Sequence, residues 1–223
     1  MEALGLDVRT AARRRIWFCE APAGAGVATP VLLGHGVILR LRETEGKGAD
    51  STVKFRPFDP ALLLARWRDV FRVEGGELRV EGDWVGPRHV VSASFVAEQA
   101  DDEPADAAAG RRRLTKLFSQ DQEHFLRDHA AVPVDLDVLR VLGPVVARKW
   151  EPQDRGLPPK LAAEHWSVDE LEFLELSARA DAADAADLQR RLERALDERG
   201  LLADVVQETK TRTVLEHLIR RDA

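Results

Sequence analysis

Two neighbouring segments constrain this chain more than any other feature. In GVILRLRE, residues 36–43, Val37, Leu39 and Leu41 alternate with Ile38, Arg40 and Arg42. In STVKFRP, residues 51–57, Val53 and Phe55 alternate with Thr52, Lys54 and Arg56. Side chains of an extended segment point to opposite faces in turn, so residues two apart share a face. Each segment is therefore expected to be a strand with two cations on one face and an apolar stripe on the other. Either strand alone would suit an ordinary antiparallel sheet with one face in water.

The later strands change that reading. The same alternation marks strands over 14–20, 76–85, 89–97, 141–149, 161–168 and 171–179, with turns rich in glycine, proline or acids between most of them. In LEFLELSARA, Glu175, Ser177 and Arg179 share one face while Leu174, Leu176 and Ala178 take the other. Glu164 in LAAEHW and Lys149 in VARKW stand within otherwise apolar strands. Charges from so many strands would be costly if buried without partners. They become sensible if the sheet curls into a barrel with a polar, wet lumen. Such a lumen suits a polyanion, since arginine grips phosphate bidentately and lysine adds a point charge. Carboxylates there could hold a divalent cation through hard oxygen ligands.

Helices are expected at three places. Asp59-Pro60 supplies an N-cap and a first-turn proline ahead of ALLLARWRDV. Ser119 and Gln122 have the spacing of a capping box, with Phe125 and Leu126 inward. A C-terminal helical region spans about 182–221. Leu188, Leu192, Ala195 and Leu196 mark its first helix, Gly200 its stop, and Val214, Leu215, Leu218 and Ile219 its last. Segments 98–110 and 152–159 are expected to be loops. Strands followed by helices give an α+β class with an antiparallel sheet or barrel, read as one domain over 1–223.

Composition then excludes several functions. Lys+Arg number 33 against 39 Asp+Glu, a net charge of −6, so there is no global field for nucleic acid or an anionic membrane. No apolar run approaches the ~20 residues of a membrane span, and the N-terminal residues lack a secretory h-region. The single cysteine, Cys19, excludes a disulfide framework and an all-cysteine zinc site, and fits a reducing cytoplasm. There is no Gly-x-x-x-x-Gly-Lys loop and no Gly-x-Ser-x-Gly elbow. His35, His89 and His165 have a structural reading, as do Trp17, Trp84, Trp150 and Trp166, which sit in strands as core residues. Lys210-Thr211-Arg212 is by default a solvated helix face.

The stretch GVILRLRETEGKGADSTVKFRP resembles the Gly-Val-x-Leu-Arg-x-Arg strand, followed by x-Val-Lys-x-Arg-Pro, of CYTH-type proteins, the triphosphate tunnel metalloenzymes. IWFCEAP, KLFSQDQEHFL, VLGPVV, LAAEHW, LELSARA and ETKTRTVLE follow in the order of an uncharacterised bacterial branch of that superfamily. The resemblance runs from about Arg14 to the last helix. It implies an antiparallel eight-stranded, tunnel-like β-barrel with flanking and C-terminal helices, which binds triphosphate or a nucleoside triphosphate, with magnesium or manganese held by glutamates. By position, Arg40, Arg42 and Lys54 match the phosphate-binding cations and Arg56 the arginine of Lys-x-Arg-Pro, with Lys149 and Arg179 added from neighbouring strands. Glu164 and Glu175 match acidic, metal-holding positions of late strands.

Two departures stand out. The Glu-x-Glu-x-Lys first strand of the family, which supplies metal ligands and a phosphate-contacting lysine, is absent ahead of MEALGLDV. A barrel short of that strand would expose an edge. Where the branch has Asp-Thr-Pro, this chain has Glu20-Ala21-Pro22, so that Glu20 is either a displaced acid or a turn residue. These residues are expected to bind triphosphate and to hydrolyse it weakly or not at all, with no catalytic residue assigned. A non-catalytic polyphosphate module is the alternative, and an adenylate-cyclase reaction would use the same tunnel.

Overall fold

The computed structural model describes residues 2–22, 29–68, 72–73, 75–85, 88–152, 156–158, 160–201 and 210–222. Its strands are β1 (Ala12–Glu20), β2 (Val37–Thr44), β3 (Gly48–Phe55), β4 (Arg72–Val73), β5 (Gly76–Val85), β6 (Arg88–Gln99), β7 (Arg140–Trp150), β8 (Leu161–Val168) and β9 (Leu171–Ala178). Its α-helices are α1 (Val31–Gly34), α2 (Ala65–Arg68), α3 (Glu103–Ala108), α4 (Gln120–His129), α5 (Ala185–Asp197) and α6 (Lys210–Arg221). All eight expected strands form, joined by the two-residue β4. The order is β4-β5-β6-β3-β2-β1-β7-β8-β9, and every ladder is antiparallel. The sheet curls into a half-barrel. No ladder joins β9 to β4 or β5 among the described residues; instead Arg179, just past β9, reaches Glu81 on β5 at 3.2 Å.

Alternation sorts the core. On the outer face Trp17, Val37, Leu39, Leu41, Val53, Phe55 and Phe95 pack against Trp67, Leu117, Phe118, Phe125 and Leu126. A second outer cluster sets Trp150, Leu161 and Ala163 against Ala195 of α5. The third cluster lies on the inner face: Ile16, Phe18, Val145, Ala147 and Trp166 are covered by Val214, Leu215, Leu218 and Ile219 of α6. The last helix thus fills one half of the concavity and leaves the other half polar.

The capping box at Ser119 forms, and it does more than start α4. The Gln122 amide accepts from Ser119 N (3.0 Å) and Ser51 Oγ (2.8 Å) and donates to the carbonyls of Ser51 and Phe95 (3.0 Å each). One buried side chain so ties α4 to β3 and β6. Gln122→Leu keeps the volume but strands these buried groups, and is expected to cost about 2 kcal/mol in urea unfolding.

Two local expectations are corrected. The helix after Asp59 is broken: a 3-10 turn, Pro60–Leu62, is followed by the one-turn α2. The break seats Trp67 edge-on to Phe95 and Phe125 and lets its Nε1 donate to Asp128 (2.6 Å), while Leu62 and Leu64 stay exposed. Propensity yields to the single indole that has a pocket. Residues 69–70 of that helix lie outside the described residues. Segment 98–110 is not a loop throughout, because α3 occupies its centre. Pro104 is tolerated in a first helical turn, Glu103 and Asp106 suit that end of the dipole, and Gly110 stops the chain at φ 71°. In the segment expected as a loop over 152–159, residues 153–155 and 159 lie outside the described residues.

Candidate anion site on the concave face

Hairpin register brings the predicted cations together. The β2–β3 turn carries Gly46 at φ 70° and Gly48 at φ 85°, conformations that favour glycine, and this sets Arg40 opposite Thr52 and Arg42 opposite Asp50. Lys54 lies opposite Ile38 on one side and Ser94 on the other. Arg40, Arg42 and Lys54 thus face the concavity, with Arg56 just beyond the end of β3. Each is half-buried and has a carboxylate near it. Arg42 meets Asp50 at 2.6 Å, and Arg40 is 3.9 Å from the same group and donates to Thr52 Oγ1 (3.1 Å). Lys54 and Arg56 lie 3.8 and 3.5 Å from Asp83.

Crowding shows in the electrostatics. Burial, with Arg42 and Arg14 adding to it, pulls the Arg40 guanidinium down to about 10 against the opposing pull of Asp50 and Glu164. Lys54 is lowered for the same reasons, burial first and then Arg56 and Arg40, with Asp83 opposing. The Nε of Arg40 and that of Arg14 are buried without a hydrogen-bond partner. Among the described residues, four cations here share two carboxylates within 4 Å, and the Nε–H groups of Arg40 and Arg14 have no acceptor.

The remaining predicted residues are spread along the same face. Lys149 lies opposite Glu164 across the β7–β8 ladder, but its ammonium turns to Glu151 at 3.3 Å. Arg179 spans the open side of the half-barrel to Glu81 rather than joining Arg40. Glu164 and Glu175 are cross-strand neighbours. Glu164 accepts from Arg14 on one oxygen (2.8 Å) and from Lys210 on the other (2.9 Å), and Lys210 also meets Glu175 at 2.9 Å. Burial works against the Glu164 carboxylate, yet Lys210 and Arg14 outweigh it and hold it down to about 2.

These contacts bear on the metal that the resemblance implies. Both oxygens of Glu164 and one of Glu175 already meet cationic nitrogens of this chain, so the pair does not fit a divalent ion as it stands. A second donor group exists at the β8–β9 turn, where ligand atoms of Asp169, Glu170 and His217 lie within 4.8 Å of one another. It too has a resident cation, because Arg221 stands 3.4 Å from the Asp169 oxygen that His217 meets at 2.7 Å. Glu20 is a structural acid: buried at the end of β1, it accepts from the backbone N–H groups of Ala21 (2.8 Å), Leu32 (2.6 Å) and Leu33 (3.2 Å). The letters Glu43-x-Glu45-x-Lys47 do match the absent first-strand signature, but they span the end of β2 and the β2–β3 turn. Glu43, in β2, pairs with Arg15 and accepts from Ala105 N (3.1 Å).

Three participants escaped the sequence reading. Arg14 was hidden in a run of three arginines, although its alternation with Ile16 and Phe18 places it inward. Asp50 is recoverable from hairpin register alone. Lys210, assigned by default to a solvated helix face, is instead largely buried, 4.1 Å from the ring centre of Trp166. Trp17, Trp150 and Trp166 are core residues as expected, whereas the Trp84 side chain lies outside the described residues.

No protein-family model matches the chain, and no curated relative does. Solved structures do match. A candidate adenylate cyclase from Bacillus halodurans superposes with a TM-score of 0.60 at 15% identity, over 95% of this chain and 87% of the other. A candidate adenylyl cyclase from Hippeastrum, described as having a dominant triphosphatase activity, gives 0.58 at 14% identity, over 99% and 87%. No helix of the described residues is long and apolar enough to cross a membrane. The chain therefore shares the fold of these two structures, consistent with the α+β architecture that the resemblance led us to expect.

Proposed function

We propose that the polar half of the concave face binds a triphosphate, either free or as part of a nucleoside triphosphate. The observation that carries this reading is the cluster of Arg40, Arg42, Lys54 and Arg56, which among the described residues have Asp50 and Asp83 as their carboxylates within 4 Å. A phosphate chain would compensate the surplus positive charge and satisfy the buried Nε of Arg40. The guanidinium groups position the chain, and Lys54 adds a point charge. Lys149 and Arg179 lie at the margins and would contribute long-range attraction.

Tripolyphosphate is expected to raise the melting temperature far more than sodium chloride of equal ionic strength. Binding to the folded state alone contributes about 2.7 kcal/mol at a hundredfold excess over Kd. Arg42→Ala or Lys54→Ala should weaken calorimetric binding roughly tenfold, because each removes a charge-assisted contact. Equal thermal shifts for the two salts would sink the reading.

Hydrolysis of the phosphate chain, or cyclisation of an adenine nucleotide, is the second reading, favoured by what the two fold neighbours are named for. Magnesium or manganese would then come bound to the phosphate oxygens, since Glu164 and Glu175 are engaged by Arg14 and Lys210. Release of inorganic phosphate from tripolyphosphate, followed beside calorimetry, separates an enzyme from a binder.

A further inference from the structure

We infer that Lys210 is a built-in substitute for a divalent cation: its ammonium occupies the position between Glu164 and Glu175, and the acidic pair of this chain takes no free metal ion while it is there. The inference rests on the anion-site reading only for its meaning, because the cation contacts stand by themselves. Nζ of Lys210 lies 2.9 Å from Glu164 Oε2 and 2.9 Å from Glu175 Oε2, with the Trp166 ring beneath it. Arg14 takes the other oxygen of Glu164 at 2.8 Å. Two carboxylates are thus balanced by two cations, and a divalent ion would find no net charge to neutralise.

The carboxylate pair and the indole face hold the ammonium together, the ring lying 4.1 Å away at cation–π distance. Four buried apolar residues further along, Val214, Leu215, Leu218 and Ile219, fix α6 against β1, β7 and β8, so the lysine is delivered by a docked element. Seen from the polar half of the concavity, Lys210 neutralises carboxylate charge that would otherwise repel a phosphate chain or require an ion. The attraction of Arg40, Arg42 and Lys54 for a phosphate chain is then available without added metal.

The test is a titration of the intact chain with Mn2+ alone, read by electron paramagnetic resonance and calorimetry, with no phosphate present. Lys210→Met uncovers the two carboxylates and is expected to bind Mn2+ about tenfold or more tightly than the unaltered chain. Adding Glu175→Gln to Lys210→Met should abolish the gain, which localises it to this pair. Lys210→Gln, which can still donate hydrogen bonds, serves if the methionine variant melts too low to titrate. Equal Mn2+ binding by unaltered and variant chains, whether tight or absent, overturns the inference. A parallel titration with tripolyphosphate in the presence of a chelator should give the same affinity as one with Mg2+ for the unaltered chain. Failure of that arm in both conditions refutes the triphosphate reading and leaves the Mn2+ comparison to decide on Lys210.

Discussion

Glu164→Gln is expected to lower the stability of the fold by about 3–5 kcal/mol at neutral pH, the usual cost of removing one member of a largely buried ion-pair network. Glu164 is the hub. It joins Arg14 of β1 to Lys210 of α6, and its loss leaves, among the described residues, Arg14 without an ion-pair partner and Lys210 with Glu175 alone. The effect should be pH-dependent with a definite sign. The folded-state carboxylate titrates at about 2 against an ordinary value of 4.5, so its contribution is complete above about 4.5 and disappears as the pH falls towards 2. That shift corresponds to about 3 kcal/mol, in line with the cost of the substitution. Urea midpoints of the two chains should therefore differ most at neutral pH and converge in acid. A gap that stays constant through the acid range would show that Glu164 is not held by these cations.

Phe125→Ala is expected to cost about 3–5 kcal/mol, measured by the same unfolding curves. Phe125 is fully buried and sits among Phe55 (5.3 Å between ring centres), Trp67 (5.4 Å), Phe95 (6.0 Å) and His129 (4.8 Å). Those rings join α4 and α2 to the outer face of β3 and β6, the strands whose inner faces carry Lys54 and Ser94. No group of that outer cluster faces the concavity. The variant should consequently lose stability while the fraction that remains folded binds tripolyphosphate with unchanged affinity. A parallel loss of affinity in folded protein would mean that outer packing sets the spacing of the inner cations.

Arg40 and Arg42 share a face, as do Thr52 and Lys54, because side chains alternate in a strand with period two; that much was legible from the sequence, whereas hairpin register sets the two pairs on the same side and Glu164 beside Glu175. The α4 cap was legible for a similar reason: Ser119 and Gln122 satisfy one another's backbone neighbours within a single turn. Local geometry determined these features. The partner of each charge was a different matter. Whether Glu164 awaits a metal or already holds an ammonium depends on where α6 docks, and its periodicity says only that one side of it is apolar. Docking sets Val214 and Leu218 in one cluster with Phe18 and Trp166, and Lys210 is carried to the carboxylates on the same helix. The curl that brings Arg179 to Glu81, and the division of the concavity into a filled and a polar half, likewise come from contacts between residues far apart in the chain. Sequence patterning determines which face a residue takes; tertiary packing decides what meets it there, because burial and ion pairing are properties of two surfaces brought together.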